Sequence, residues 1–321
     1  MAYTKISYDK RIIIYSIFFL ILIFFLQSEN LGDRSSYKSW INNVDLLLQS
    51  GHSGALNSFT GFFQYLQGEN LFNYLIVFLK SFGLEPNILI NLISCSIGFL
   101  TSYTVFKNSN KKFNQGFLFL INIFTLTSCL LHIRSGLAMC LIFLTYKYPN
   151  FDNSISSKLI RLSAVGIHMG AIVFVFLDFF SSSIYKINTI IGRSSVIIFG
   201  LSTIVFSNLL FLVLTKYAVN EGTSLGRGNF VGLIFYLFLL LLLLFSNIEE
   251  RNKNYISILI LTTYVAFYYI YPPVSRILQM GYPFIIISIL NIKSSARKTI
   301  FLLFLFGNSY GLLKNFSLLY T

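Results

Sequence analysis

Charge is what this chain has least of. Only 11% of its 321 residues are Asp, Glu, Lys or Arg, against 55% that are hydrophobic. That is too little polar surface to coat a soluble globule of this length. Acid is scarcer than base, with 11 Asp and Glu against 24 Lys and Arg and a net charge of +13. A nucleic-acid binder would carry such an excess on a soluble basic domain. Here the lysines lie in short segments between apolar runs, so nucleic acid is not an expected partner. Cysteine is rare as well: Cys95, Cys129 and Cys140 all fall inside apolar segments, which excludes a disulfide or cysteine-metal framework. No group of carboxylates suggests a required divalent cation, and no cofactor motif is present, so neither metal nor cofactor is expected. Internal repeats and a separate soluble domain are also missing.

What the chain has instead is hydrocarbon, at a mean hydropathy of +0.72. Apolar runs occupy Ile12–Leu26, Asn87–Phe106, Phe117–Leu131, Arg134–Tyr148, Lys158–Tyr185, Val196–Leu214, Phe230–Phe245, Tyr255–Tyr271, Ile277–Leu290 and Thr299–Leu313. Most are near the length that spans a bilayer as a helix. The first has basic flanks and no small-residue cleavage site, and reads as an uncleaved span. The stretch NLFNYLIVFLKSFGL is about 20 Å long as a helix, too short to cross, and Lys80 interrupts it, so an interfacial or re-entrant helix is expected there. Lys158–Tyr185 is long for one span and short for two, and GIHMG at its middle invites a turn.

Loop charge arbitrates, because Lys and Arg stay on the cytoplasmic side. A hairpin at GIHMG puts 16 of the 24 basic residues inside, whereas a single span makes the split nearly even. The expectation is therefore an all-α polytopic membrane protein of about eleven transmembrane helices. One integral membrane domain covers 1–321, with one long outer loop over 27–85 that includes the interfacial stretch. Arg34, Lys38, Lys80, Arg134, Lys216, Arg227, Arg276 and Lys314 are left outside, against the rule.

Some of these exceptions call for a reason. Arg134 follows His132 at the outer mouth of an apolar helix and precedes Gly136 and Ala138, small residues that admit a close neighbour. A cation there wants a partner or an anionic ligand, unless it snorkels. His168 sits between glycines at the expected turn, where a packing role competes with a functional one. Arg276 opens a span after Pro272 and Pro273, which by themselves mark only a turn, and Arg227 lies in a glycine-rich outer loop, where a solvated loop residue competes with a substrate contact. Asp33 and Tyr37, four apart, would share a helix face at the start of the long loop, although Asp33 could equally be a capping residue. A carboxylate facing arginines at a membrane-edge cavity would supply an acid-base group beside a bidentate phosphate clamp.

The order GDRSSYKSW, ENLFNYLIVFLKSFGLEPN, HIRSGLAMCLIFLTYKY, LSAVGIHMGA, SRILQMGYPF resembles the EpsG/Wzy-type polysaccharide polymerases over most of the chain. The resemblance implies a fold akin to membrane-embedded, lipid-phosphosugar-dependent glycosyltransferases. It implies a metal-independent glycosyltransferase that joins polyprenyl-pyrophosphate-linked oligosaccharide repeats into O-antigen, capsule or exopolysaccharide. The family's catalytic aspartate, arginine, histidine and late arginine then fall on Asp33, Arg134, His168 and Arg276, with Tyr37, His132 and Arg227 as substrate contacts. Where the family commonly has a glutamine after the first arginine, this chain has Ser135. A flippase and a chain-length regulator would be its partners beside the lipid bilayer. A lipid-linked oligosaccharide flippase and a membrane acyltransferase are the alternative activities.

Overall fold

The computed structural model describes residues 7–28, 31, 34–51, 70–176, 230–245, 253–267, 274–293 and 297–315. It is helical almost throughout: the strands among the described residues are one two-stranded hairpin, so the all-α expectation holds. Two compact units emerge, Met1–Val175 with Asn308–Thr321, and Phe176–Gly307.

In the first unit, α1 (Tyr8–Phe25) packs along α4 (Pro86–Lys107), the longest helix among the described residues. Their axes come close because α4 offers Gly98 to α1, where a Cβ would lie 2.8 Å from Ile23 Cγ1. Between these two in sequence come α2 (Arg34–Gly51) and α3 (Asn70–Lys80), which pack on each other. α3 ends at Lys80, as the interrupted apolar stretch predicts, and at 11 residues it is too short to cross a bilayer.

The run Phe117–Leu131, expected as one span, is two helices, α5 (Phe113–Leu120) and α6 (Ile123–Leu130), bent by 68°. Asn122 causes the break. Its backbone is extended, its side-chain oxygen caps α6 by accepting from the Thr125 N–H at 2.9 Å, and its amide donates to the Phe119 carbonyl. An amide that satisfies a helix start in an apolar setting outweighs one more hydrophobic turn.

α7 (Ile133–Leu144) follows and packs on α4, α6 and α8. It stops short of the expected Tyr148, because the chain turns into β1 (Tyr146–Lys147) and β2 (Asn150–Phe151). The hairpin is tied down on three sides. Lys147 pairs with Asp152 at 2.8 Å, the Tyr148 N–H donates to Asn108 Oδ1 at 3.0 Å, and the buried Arg161 donates to the Asp152 carbonyl at 3.0 Å. Its hydrogen bond from Lys147, with one from the Ser154 amide, holds the exposed Asp152 carboxyl down at about 2. α8 (Ile155–Ile167) ends at GIHMG, where His168 is extended at φ −152° and ψ 118°. A short 3₁₀ turn, Met169–Ala171, comes next. The break anticipated from the glycines is therefore present, and the chain is helical again over 172–176; the rest of the expected return limb lies outside the described residues.

The second unit contains α9 (Phe230–Leu244), α10 (Tyr255–Phe267), α11 (Val274–Asn291) and most of α12 (Arg297–Asn315). α10 and α11 are joined by the Ser257 and Ser288 hydroxyls, 2.6 Å apart, and Ser257 also donates to the Phe284 carbonyl. Phe304 of α12 stacks on Tyr282 of α11 and on Phe235 of α9. The span expected at Val196–Leu214 lies outside the described residues.

Among the described residues, α4 alone is both long and apolar enough to cross a membrane, and the bent pair α5 and α6 passes the same test jointly. α1 misses because Asp9, Lys10 and Arg11 fill its first turn. The surface adds its own observation. Phe18, Phe24, Phe25, Phe78, Leu159, Leu162, Phe245, Leu302, Phe306 and Leu313 are all more than half exposed. Water penalises apolar area of that extent, whereas lipid covers it without cost.

Candidate functional site

The start of α7 is where the first unit gathers its polar and aromatic residues. His132 precedes the helix as its N-cap, with its N–H donating to the Thr127 carbonyl at 2.8 Å. Its own carbonyl accepts from Gly136 N–H and from Ser135 Oγ. Ser135 therefore turns back onto its own helix, and does not reach outward as a longer amide would. Gly136 is fixed by a close approach. A Cβ there would lie 2.1 Å from the Ser128 carbonyl oxygen of α6, so the two backbones touch and only glycine fits.

That contact sets where Arg134 goes. The half-buried side chain lays its guanidinium over the Trp40 ring of α2, 3.9 Å from the centroid, with the Tyr37 ring at 6.0 Å. Tyr37 and Trp40, three apart on α2, are nearly parallel at 16° and form a two-ring platform. Trp40 is itself held: its indole N–H donates to Asn73 Oδ1 of α3 at 2.9 Å and its ring meets Phe72 edge to face. The ring holds the charge through a cation–π contact, and a guanidinium is the side chain whose N–H donors suit phosphate oxygens.

His168 enters from the other side of α3. Gly166, two residues before it, packs against Leu71, and Leu71 is two residues before Asn73. The turn after His168 also packs on α7. The half-buried His168 thus sits in the chain at the junction of α3, α7 and α8, the assembly that carries Trp40 and Arg134. Its backbone is committed, the N–H to the Ala164 carbonyl and the carbonyl to the Ala171 N–H, both at 2.9 Å.

Arg34, the first residue of α2, is buried and donates to Gln27 Oε1 at 3.1 Å. Gln27 in turn donates to the Asn91 carbonyl and to Cys95 Sγ, both at 3.3 Å. This places a second arginine near the platform's helix, bonded to the segment after α1 and through it to α4.

Of the residues singled out from sequence, Tyr37, His132, Arg134 and His168 belong to this one region. Asp33 and Arg227 lie outside the described residues. Arg276 is exposed in the first turn of α11, in the second unit. Trp40 and Asn73 were not singled out, although Trp40 is the chain's only tryptophan and lies one turn from Tyr37 on a common face. Among the described residues, no three His, Cys, Asp or Glu come together as a metal site.

In comparisons with known proteins, no curated protein and no solved structure matches the chain. A family model does, over residues 10–317. The chain belongs to the EpsG family, and with it to the membrane proteins of polysaccharide biosynthesis.

Proposed function

We propose that the chain is a polymerase that joins polyprenyl-pyrophosphate-linked oligosaccharide repeats at the periplasmic face of a bacterial inner membrane, yielding O-antigen, capsule or exopolysaccharide. The observation that carries this reading is Arg134, held over the Trp40 ring with Tyr37 beside it at the head of α7, and the His168 helix break packed into the same junction. With about eleven spans and 27–85 outside, the arrangement that the loop charges favour, that junction would lie at the outer surface.

In the reaction, a hydroxyl of one lipid-linked repeat attacks the anomeric carbon at the reducing end of the growing chain. The new C–O bond forms as the bond to the pyrophosphate oxygen breaks, and polyprenyl pyrophosphate leaves with the electron pair. The hydroxyl proton passes to His168 or to Asp33. Negative charge builds on the leaving group, so cations fixed in advance lower the barrier more than they tighten ground-state binding. Arg134 supplies one; Arg276 is proposed as a second on its place in the sequence alone. Tyr37, His132 and Arg227 contact the sugars. A flippase delivers the repeats and a chain-length regulator limits growth.

Deletion of the gene tests the class of activity. A polymerase acts after repeats have crossed the membrane, so its loss leaves single repeats exported and capped onto their acceptor, with chain growth gone. Repeats stranded on the cytoplasmic leaflet would make it a transporter, and full-length chains lacking an acyl group would make it an acyltransferase.

A further inference from the structure

At the far end of α1 from Gln27, about 21 Å of helix away as measured from Arg11 to Phe25, lies a second polar region with no part in the chemistry above. It is a pocket of about 600 Å³ between the first turns of α1 and the start of α5. Arg11, Lys111 and Lys112 line it, and Tyr15, hydrogen-bonded through its hydroxyl to Asn114 Oδ1, forms a wall. Among the described residues, neither Arg11 nor Lys111 is in an ion pair. The single carboxylate of α1, Asp9, is exposed. The positive-inside tendency explains on which side such residues sit, but not why three converge on one concavity. The Phe113, Asn114 and Gln115 amides of the first turn of α5 add their partial positive charge.

One lip of the pocket is apolar. Ile14 lines it, and Ile14, Phe18, Ile21 and Phe25 follow one another along a single face of α1 with 37%, 58%, 41% and 77% of their surface exposed. A small inorganic anion would use the cations and leave this stripe bare. An amphiphile with an anionic head and a hydrocarbon tail uses both.

We propose that this pocket binds the headgroup phosphate of an anionic phospholipid of the adjoining leaflet, with an acyl chain lying along Ile14, Phe18 and Ile21. Basic pockets between helices at the cytoplasmic membrane surface suit such headgroups, because the charges meet at the depth where the phosphate sits. The site is separate from the one that handles substrate, and neither depends on the other.

Purified full-length protein in detergent, examined by native mass spectrometry after addition of phosphatidylglycerol, phosphatidylethanolamine with the same chains, or polyprenyl phosphate, tests it. Phosphatidylglycerol should be retained in preference to both others, and equimolar inorganic phosphate should not displace it. Arg11→Gln and Lys111→Asn should each lower retention about fivefold. Asparagine is chosen because Lys111 has a left-handed backbone, φ 67°, which asparagine tolerates. Lys10→Gln, one position away on the exposed surface of α1, should change nothing, and all three variants should keep the wild-type melting temperature. Equal retention of the two phospholipids, unchanged retention by the pocket variants, or displacement by inorganic phosphate would each overturn the assignment. Preference for polyprenyl phosphate would overturn it too, and give the pocket to substrate or product.

Discussion

Removing Trp40 should separate what Arg134 contributes as a charge from what it contributes as an oriented guanidinium. With the guanidinium carbon 3.9 Å from the Trp40 centroid and half-buried, the cation–π contact is worth about 1–2 kcal/mol. Tyr37, at 6.0 Å, is at the edge of the useful range and adds little. Trp40 also gives its N–H to the buried Asn73 at 2.9 Å, so losing it removes a hydrogen bond worth a further ~0.5–1.5 kcal/mol. Trp40→Leu should therefore destabilise the protein by roughly 1.5–3.5 kcal/mol in sum. Trp40→Phe with Asn73→Leu isolates the platform. It keeps a ring under the arginine, takes the Trp40–Asn73 bond away from both partners at once, and should recover most of the lost stability. Chain growth behaves differently. If the barrier rises by the platform's ~1–2 kcal/mol, Trp40→Leu elongates about 5–30 times more slowly than wild type even where it is fully folded. Thermal unfolding in detergent reads the first effect and initial elongation rate per folded molecule reads the second. A Trp40→Leu protein that elongates at the wild-type rate would refute the platform's role in orienting Arg134.

Arg134→Lys should abolish most polymer while protein level is retained, because a point charge neither stacks on Trp40 nor binds phosphate bidentately; polymer length on a glycan gel reads it. His168→Gln should fail nearly as badly as His168→Ala if the imidazole takes the proton, and an active glutamine variant would reduce it to a hydrogen-bonding role. Gly136→Ala places a methyl 2.1 Å from a backbone oxygen and should cost about 3 kcal/mol by forcing α6 and α7 apart, seen as a lowered melting temperature. Single cysteines at Ala218 and Asn254, in a background lacking the three native ones, should react with an impermeant thiol reagent from the periplasm and the cytoplasm respectively. Labelling of Ala218 only after the inner membrane is opened would remove the hairpin turn at GIHMG from the topology.

Much of the helical layout was legible in the sequence because hydrophobic length and helix length are nearly the same quantity in a lipid-facing chain. The runs Ile12–Leu26 and Asn87–Phe106 correspond to α1 and α4 with only small shifts at their ends. The break at His168 was legible for another reason, since flanking glycines weaken a helix wherever they occur. Asn122 carried the same kind of signal for the bend between α5 and α6, but one polar residue in an apolar run does not say whether it will cap a helix or face a neighbour. The early end of α7 was hidden because the hairpin that follows it is set by Asn108 and Arg161, 40 and 13 residues from Tyr148, and hydropathy has no access to such pairings. At the site, a cation at the mouth of an apolar helix marked Arg134 as costly and therefore purposeful. What it lies on did not follow, because Trp40 and Asn73 reach it only through the packing of α2, α3 and α7.

Purified protein in proteoliposomes, supplied from outside with polyprenyl-pyrophosphate-linked repeat, tests the proposal that the chain joins lipid-linked repeats with Arg134 at the reacting centre. A ladder of oligomers is expected, with one polyprenyl pyrophosphate released per bond formed, and no ladder from Arg134→Ala at equal protein. Repeat units that move across the bilayer without joining, or a ladder undiminished in Arg134→Ala, would contradict it.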